Sequence, residues 1–273
     1  MANLVAAMAS VHLPSLLAAP GRFTPAVWER FQEGFGVLRG TLTRAGVDTV
    51  VVISDEHFNV LDPHDYPAFA VATAARLSGP VESWLGPPCD SITVNGVPGL
   101  AGVLLDEAAR QRFEVRALDI RRLDHGFLTC LHFLTPAWDL SYLWVIQNCV
   151  LPPLPSVRRC REFGRLVGEA IRVWDAPRRV AILGTGGLSH AVGTPEAGLV
   201  DTAFDERLLA LLCANDPAVG EITDAEMGAA GNGAHEVRNW VAVAGAVPEA
   251  KGEVVMYEAI PGIGCGMMQF QLG

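Results

Sequence analysis

The feature that most constrains this chain is an alternation of short apolar runs with amphipathic stretches. The runs at 4–8, 48–54, 114–118, 142–146, 179–183 and 253–258 have the length and side chains of buried strands. Helical patterns fill the gaps between them. The clearest covers 24–45, where Thr24 is a good N-cap, Pro25 suits the first helical position and Gly46 ends the pattern. Others cover 99–113, 156–174, 204–214 and 233–246. Strands that alternate with helices predict an α/β fold. We expect a single domain over residues 1–273, with a mixed, largely parallel central sheet covered by helices on both faces. The segments 59–65 and 151–155 read as excursions within that domain.

Half the residues are hydrophobic and 18% are charged, so a sizeable core can be buried. A net charge of −10 argues against a nucleic-acid partner, because phosphate binding needs a basic face. The cysteines at 89, 130, 149, 160, 213 and 265 form no C-x-x-C pair. That scatter fits reduced thiols better than a disulfide framework or a zinc knuckle. The apolar run at 4–8 follows no basic region and is too short to span a bilayer. The expectation is a cytoplasmic protein with no membrane partner.

Three of the histidines repeat one placement. His12, His57 and His190 each come shortly after a strand-like run. In open α/β sheets, ligands bind beyond the carboxyl ends of the strands, so these three side chains could converge. Each taken alone reads more readily as a loop histidine bonded to a neighbour, and it is the repeated placement that favours a shared site. Two imidazoles and one carboxylate, with coordination positions left open, suit non-haem Fe(II) and oxygen chemistry. Glu236, in the Gly-rich segment 231–240, is the leading carboxylate candidate. It could also be an ordinary first-turn acid favoured by the helix dipole. His235 and Glu236 would point about 100° apart on a helix, so only one of them can face the site. The glycines of 184–190 lack the G-x-G-x-x-G spacing of a dinucleotide loop and suit a tight turn that aims His190. His64 reads as a surface residue and His132 as a core residue.

The ordered motifs Ser10-Val11-His12-Leu13-Pro14, Ser54-Asp55-Glu56-His57-Phe58, Asp124-His125-Gly126, residues 148–156, residues 184–190 and residues 231–240 together resemble the class III, LigB-type extradiol ring-cleavage dioxygenases. That resemblance implies that His12, His57 and Glu236 hold Fe(II). It also implies that His190 is the catalytic acid/base and that His125 contacts the substrate or oxygen. The reaction it implies opens a catechol-type ring with both atoms of dioxygen, on a protocatechuate- or gallate-like substrate. Residues 59–66 are less aromatic than the family pattern, which bears on pocket shape. The expected partners are a small aromatic substrate and oxygen, with a second copy or a small lid-type subunit over the pocket.

A carboxylated substrate needs a local cation in an acidic protein. Arg238, two residues beyond Glu236, is the expected carboxylate-binding residue; Arg158 and Arg159 are alternatives that read more readily as surface side chains. Two other functions share these residues. A zinc-dependent hydrolase can use His, His and Glu, although no H-E-x-x-H helix is present. A non-catalytic metal-binding interaction protein could also be built on this fold.

Overall fold

A computed structural model describes residues 1–86 and 92–273, so Cys89 lies outside the described residues. In chain order the strands are β1 (Asn3–Ser10), β2 (Thr49–Ser54), β3 (Phe69–Ala72), β4 (Arg76–Gly79), β5 (Ile92–Gly96), β6 (Arg116–Leu118), β7 (Ser141–Gln147), β8 (Arg179–Thr185), β9 (Lys251–Ile260) and β10 (Ile263–Gln271). The helices are α1 (Ser15–Ala18), α2 (Pro25–Arg44), α3 (Pro98–Arg110), α4 (His125–Leu134), α5 (Val157–Val173), α6 (Thr202–Ala214), α7 (Asp224–Ala229) and α8 (Val237–Ala246).

The strands form one mixed sheet in the order β4-β5-β7-β2-β8-β1-β10-β9, with β3 and β6 branching from β7. Its centre, β7-β2-β8-β1, is parallel. Antiparallel strands flank it: the β9–β10 hairpin beside β1, β4 beside β5, and β3 beside β7.

Side-chain alternation divides the core between the two faces of this sheet. Every residue of β2 is buried. Its Val51 and Ile53 pack with Leu104 of α3, Phe163 of α5 and Val241 of α8. Val50 and Val52 point the other way, toward Phe35 of α2 and Leu131 of α4. A strand buried on both faces needs this continuous apolar run, and that run is why the central strands were legible. Helix α2 starts as its sequence implies: Thr24 accepts a hydrogen bond from the Val27 N–H, and Pro25 takes the first position. Gly46 then adopts a left-handed φ of 60° beyond the helix.

Several elements depart from the sequence expectation. Helix α4 was not anticipated, because its first seven residues, from His125 to Leu131, are all buried, leaving no polar stripe to reveal a helical period. The 114–118 strand shortens to β6, and β3, β4, β5, β10 and α7 were not anticipated either. The 233–246 helix divides into a tight 3-10 turn over Asn232–Glu236 and then α8.

The parallel centre is what matters for the site. Strands β2, β8 and β1 are neighbours running the same way, so the segments that leave their carboxyl ends emerge side by side. Those segments carry His57, His190 and His12.

Candidate metal centre

The structure brings His12, His57, His125, His190 and Glu236 together. Glu236 Oε2 lies 3.3 Å from His12 Nε2. Glu236 Oε1 lies 3.7 Å from His57 Nε2 and 3.7 Å from His190 Nε2. The His125 ring centroid is 4.1 Å from that of His57 and 5.6 Å from that of His12.

Each imidazole is fixed in one orientation by what holds its Nδ1. His57 Nδ1 sits 2.9 Å from Asp124 Oδ2, His125 Nδ1 2.7 Å from Glu82 Oε1, and His190 Nδ1 2.9 Å from the Leu188 carbonyl. Carboxylates and carbonyls only accept, so Nδ1 donates in all three. His12 Nδ1 lies 3.1 Å from Thr185 Oγ1, whose own hydrogen goes to the Gly126 carbonyl at 2.9 Å. Thr185 therefore accepts from His12. In each neutral ring this leaves the Nε2 lone pair free, as a metal ligand requires.

Asp55 is a site residue that the sequence reading missed. It is fully buried, and its Oδ1 accepts from Asn239 Nδ2 at 3.0 Å. Its Oδ2 makes no hydrogen bond and lies 3.2 Å from His57 Nε2. His12, Asp55, His57 and Glu236 each offer one ligand atom, and these atoms lie within 4.8 Å of one another. Donors bound at about 2.1 Å with angles between 90° and 109° lie roughly 3.0–3.4 Å apart. The 3.2 and 3.3 Å separations here match that spacing, and the orphaned Asp55 oxygen lacks a partner that a cation would supply. The residues present therefore fit a small divalent metal. The available signal for Asp55 was its position two residues before His57 at the end of β2, which puts both side chains on one side of the extended chain.

The electrostatics separate the carboxyl groups. Burial pushes Glu236 up, but the neighbouring His12 and His190 outweigh it and hold the group well below the usual carboxylate range. For Asp55 burial prevails over the attraction of His57, and its pKa is raised. Burial also pushes Asp124 up, yet the hydrogen bond and charge of His57 bring it down to about 2. His190 is lowered by burial and raised by Glu236, with a net upward shift. His125 is lowered, by burial first and by His57 next.

Glycines let the backbone close around this cluster. Gly231 has φ 115°, and a Cβ there would stand 2.0 Å from the His190 carbonyl oxygen. A Cβ on Gly233 would stand 2.1 Å from His190 Nε2. The Gly231–Gly233 segment thus packs directly on His190 and delivers Glu236 beside it.

Several side chains lie away from the centre. Arg238, the expected carboxylate-binding residue, lies in the interior. Its guanidinium is fully buried and bonds to the Pro155 carbonyl at 2.8 Å, His235 Nδ1 at 2.7 Å and Asp224, so it fastens α7 to the start of α8. His235 is turned to that same contact and Glu236 to the cluster, as their adjacency requires. Arg158 pairs with Glu221, while Arg159 pairs with Glu162 and stacks on Phe113. His64 is exposed, and His132 is half-buried against Phe133 instead of lying in the core. Beside the cluster, Trp84 is exposed with its ring 5.8 Å from His125, and Phe58 is exposed with a left-handed φ of 58°.

A family model described as the catalytic LigB subunit of aromatic ring-opening dioxygenase matches residues 6–268. The chain belongs to the LigB family. This LigB-family chain is 28% identical over 204 residues to a 2,3-dihydroxyphenylpropionate/2,3-dihydroxicinnamic acid 1,2-dioxygenase of Pseudomonas putida, covering 74% of this chain and 62% of that one. The enzyme of the same name from Xanthobacter autotrophicus is 30% identical over 254 residues, covering 75% of this chain and 78% of that one. Gallate dioxygenase of Pseudomonas putida is 29% identical over 165 residues, covering 59% of this chain and 48% of that one. The chain thus spans about 62% of the length of the first curated relatives it matches. Among solved structures, the uncharacterized protein JW3007 from Escherichia coli K12 superposes with a TM-score of 0.60 at 15% identity, over 88% of this chain and 92% of that one. This likeness concerns the fold. Among the described residues, no helix is long and apolar enough to cross a membrane.

Proposed function

We propose that the chain is a non-haem Fe(II) extradiol dioxygenase that opens catechol-type rings bearing a carboxylate. The observation that carries this reading is the set of imidazoles held by their Nδ1 atoms, with bare Nε2 atoms gathered around an anionic Glu236. His12, His57 and Glu236 would hold the metal, and Asp55 would stand beside them. A two-histidine, one-carboxylate set leaves positions open for exchangeable ligands, which suits Fe(II) and oxygen. Fe(II) bound there supplies Lewis acidity toward a catechol oxygen and one-electron chemistry toward dioxygen.

The chain's own side chains supply the rest. His190 places Nε2 at the edge of the ligand set, where it can take a proton from a substrate hydroxyl and later return it. Its Nδ1 bond to the Leu188 carbonyl keeps the ring from turning away. His125, at the first turn of α4 and tethered to Glu82, presents a second imidazole to bound substrate. The relatives are named for dihydroxyphenylpropionate, dihydroxycinnamate and gallate, all catechol-type rings carrying a carboxylate, and this supports the substrate class. The exposed Phe58 and Trp84 support a covering partner, either a second copy or a small lid subunit.

The test is to load the protein with iron anaerobically, then measure oxygen uptake and product absorbance over a panel of catechols. We expect one Fe(II) per chain, one O2 consumed per ring opened, and loss of metal in Glu236→Ala, His12→Ala and His57→Ala. Full occupancy and turnover in the Glu236 variant would move the carboxylate ligand elsewhere. Tight zinc binding with no oxygen uptake on any catechol would overturn the dioxygenase reading in favour of a hydrolase.

A further inference from the structure

The bond that orients His190 ends on a peptide group, and that peptide group is itself held. The Leu188 carbonyl accepts from His190 Nδ1 at 2.9 Å. The N–H on the other side of the same peptide unit belongs to Ser189 and donates to Asp205 Oδ1 at 2.7 Å. The imidazole, the 188–189 peptide and the Asp205 carboxylate therefore form one continuous chain of hydrogen bonds.

Asp205 lies in the first turn of α6 and is fully buried. Its Oδ2 accepts from Ser189 Oγ and from Tyr257 Oη, each at 2.8 Å. The Asp201 N–H donates to Ser189 Oγ at 2.9 Å, which leaves the hydroxyl hydrogen for Asp205. All three groups that meet the carboxyl group donate to it, which suits an ionised carboxylate, an acceptor only. Burial raises its pKa, and the same three donors oppose that rise. Strand β10 makes room for the group, since a Cβ on Gly264 would stand 2.0 Å from Asp205 Oδ2. The Gly264 backbone also brackets Ser189, accepting from the Leu188 N–H at 2.9 Å and donating to the Ser189 carbonyl at 2.8 Å. Residues 188–190 are thus clamped between α6 and β10. A simple pin between these elements would need only Oδ2 and Tyr257, whereas Oδ1 faces the peptide that backs His190.

Resting on the dioxygenase reading above, we propose that Asp205 is a positioning residue for His190, acting through the 188–189 peptide. It fixes the plane of that peptide, and so the direction of the carbonyl that holds His190 Nδ1. Its negative charge also polarises the peptide group. Hydrogen bonds in a chain strengthen one another by about 10–30% each, and a bond to an ionised acceptor is stronger than a neutral one. When His190 Nε2 takes a proton from a substrate hydroxyl, the ring becomes a cation, and the more negative Leu188 oxygen stabilises it. The Nδ1 proton stays on the ring, the peptide proton stays on Ser189, and no proton reaches Asp205. The carboxylate thus serves His190 as Asp124 serves His57, with a peptide group placed between.

The experiment pairs kinetics with a spectroscopic reading that needs no turnover. Asp205→Asn keeps the shape of the side chain and an oxygen for the Ser189 N–H but removes the charge. Iron-loaded Asp205→Asn should lose about ten- to a hundredfold in kcat, the usual effect of removing the outer partner of a site imidazole. KM for the best catechol of the panel and Fe(II) affinity should stay as in wild type. Ser189→Ala, which keeps both the peptide N–H and the carboxylate, should lose less. For the second reading, the full chain is isotopically labelled at leucine carbonyl carbons and serine amide nitrogens and loaded with Zn(II) as a diamagnetic stand-in. Leu-Ser pairs occur at 77–78, 140–141 and 188–189, so the NMR spectrum that correlates the two labels holds three peaks. Asp205→Asn should move the 188–189 peak upfield in both the carbonyl and the amide-proton dimensions and leave the other two in place. A 188–189 peak unmoved by the substitution would overturn the relay. Weaker Fe(II) binding or a raised KM in step with the kcat loss would overturn it as well, and make Asp205 a general structural pin. Absence of turnover on every catechol by iron-loaded wild type would instead sink the dioxygenase reading, and the 188–189 peak would still decide whether Asp205 acts on the peptide that holds His190.

Discussion

Asp124 offers a sharp test of how the candidate metal centre is held. One carboxyl group, fully buried, accepts three hydrogen bonds: from the His57 ring at 2.9 Å, from the His57 backbone N–H at 3.1 Å and from the Phe127 N–H at 3.3 Å. The last of these caps α4, the helix that begins with His125. Two substitutions separate its roles. Asp124→Asn keeps an oxygen for the cap, and Asn is as good a cap as Asp, so α4 should survive with little loss. The carboxylate that draws the His57 Nδ1 proton is gone, however. Outer partners of ligand histidines typically contribute about ten- to a hundredfold in metal affinity, so Fe(II) binding should weaken by that factor. Asp124→Ala removes everything. The lost cap costs about 1 kcal/mol, and each of the two His57 donors left buried costs about 1–3 kcal/mol. The sum is about 2–4 kcal/mol when one of these donors finds water, or roughly 4–16 °C in Tm at 2–4 °C per kcal/mol for a chain of this size. The assay is an anaerobic Fe(II) titration against a competing chelator, paired with thermal unfolding followed by circular dichroism. Wild-type iron affinity in Asp124→Asn would refute the idea that this carboxylate orients His57. An equal Tm loss in both variants would refute the division into capping and orienting roles.

Two further outcomes follow from other contacts. His190→Ala should retain iron and bind catechol but lose about a hundred- to ten-thousandfold in kcat, the usual contribution of a positioned acid/base; loss of iron in that variant would make His190 a ligand. Gly164→Ala places a Cβ 1.7 Å from the Ala242 carbonyl oxygen, where α5 crosses α8. Parting those helices should cost about 3 kcal/mol, and an unchanged Tm would show that the helices can separate freely.

The sheet was legible because its central strands are buried on both sides, and burial on both sides demands an unbroken apolar run. The carboxyl-end placement of His12, His57 and His190 could also be read, since it depends only on distance along the chain from each run. Helix α4 escaped for the converse reason: its buried positions leave no polar face, so periodicity is silent. Strand β10 contains Gly264, Cys265 and Gly266 and has few bulky or β-branched residues near its start, so it lacks the signal that marked β2.

Sequence alone determined which residue types were available and which of them sat near strand ends, and those features are local along the chain. Tertiary structure alone decided what each polar group was bonded to. Asp55, Glu82 and Asp124 look like any other acids in sequence, yet one presents an unbonded buried oxygen and the others hold imidazoles by Nδ1. Arg238 and Arg158 are likewise the same residue in sequence. The fold buries the first between Pro155, His235 and Asp224, and leaves the second at the surface beside Glu221. The three acids bond to partners 43, 67 and 184 residues away, and contacts at that separation exist only once the sheet has brought its strand ends together.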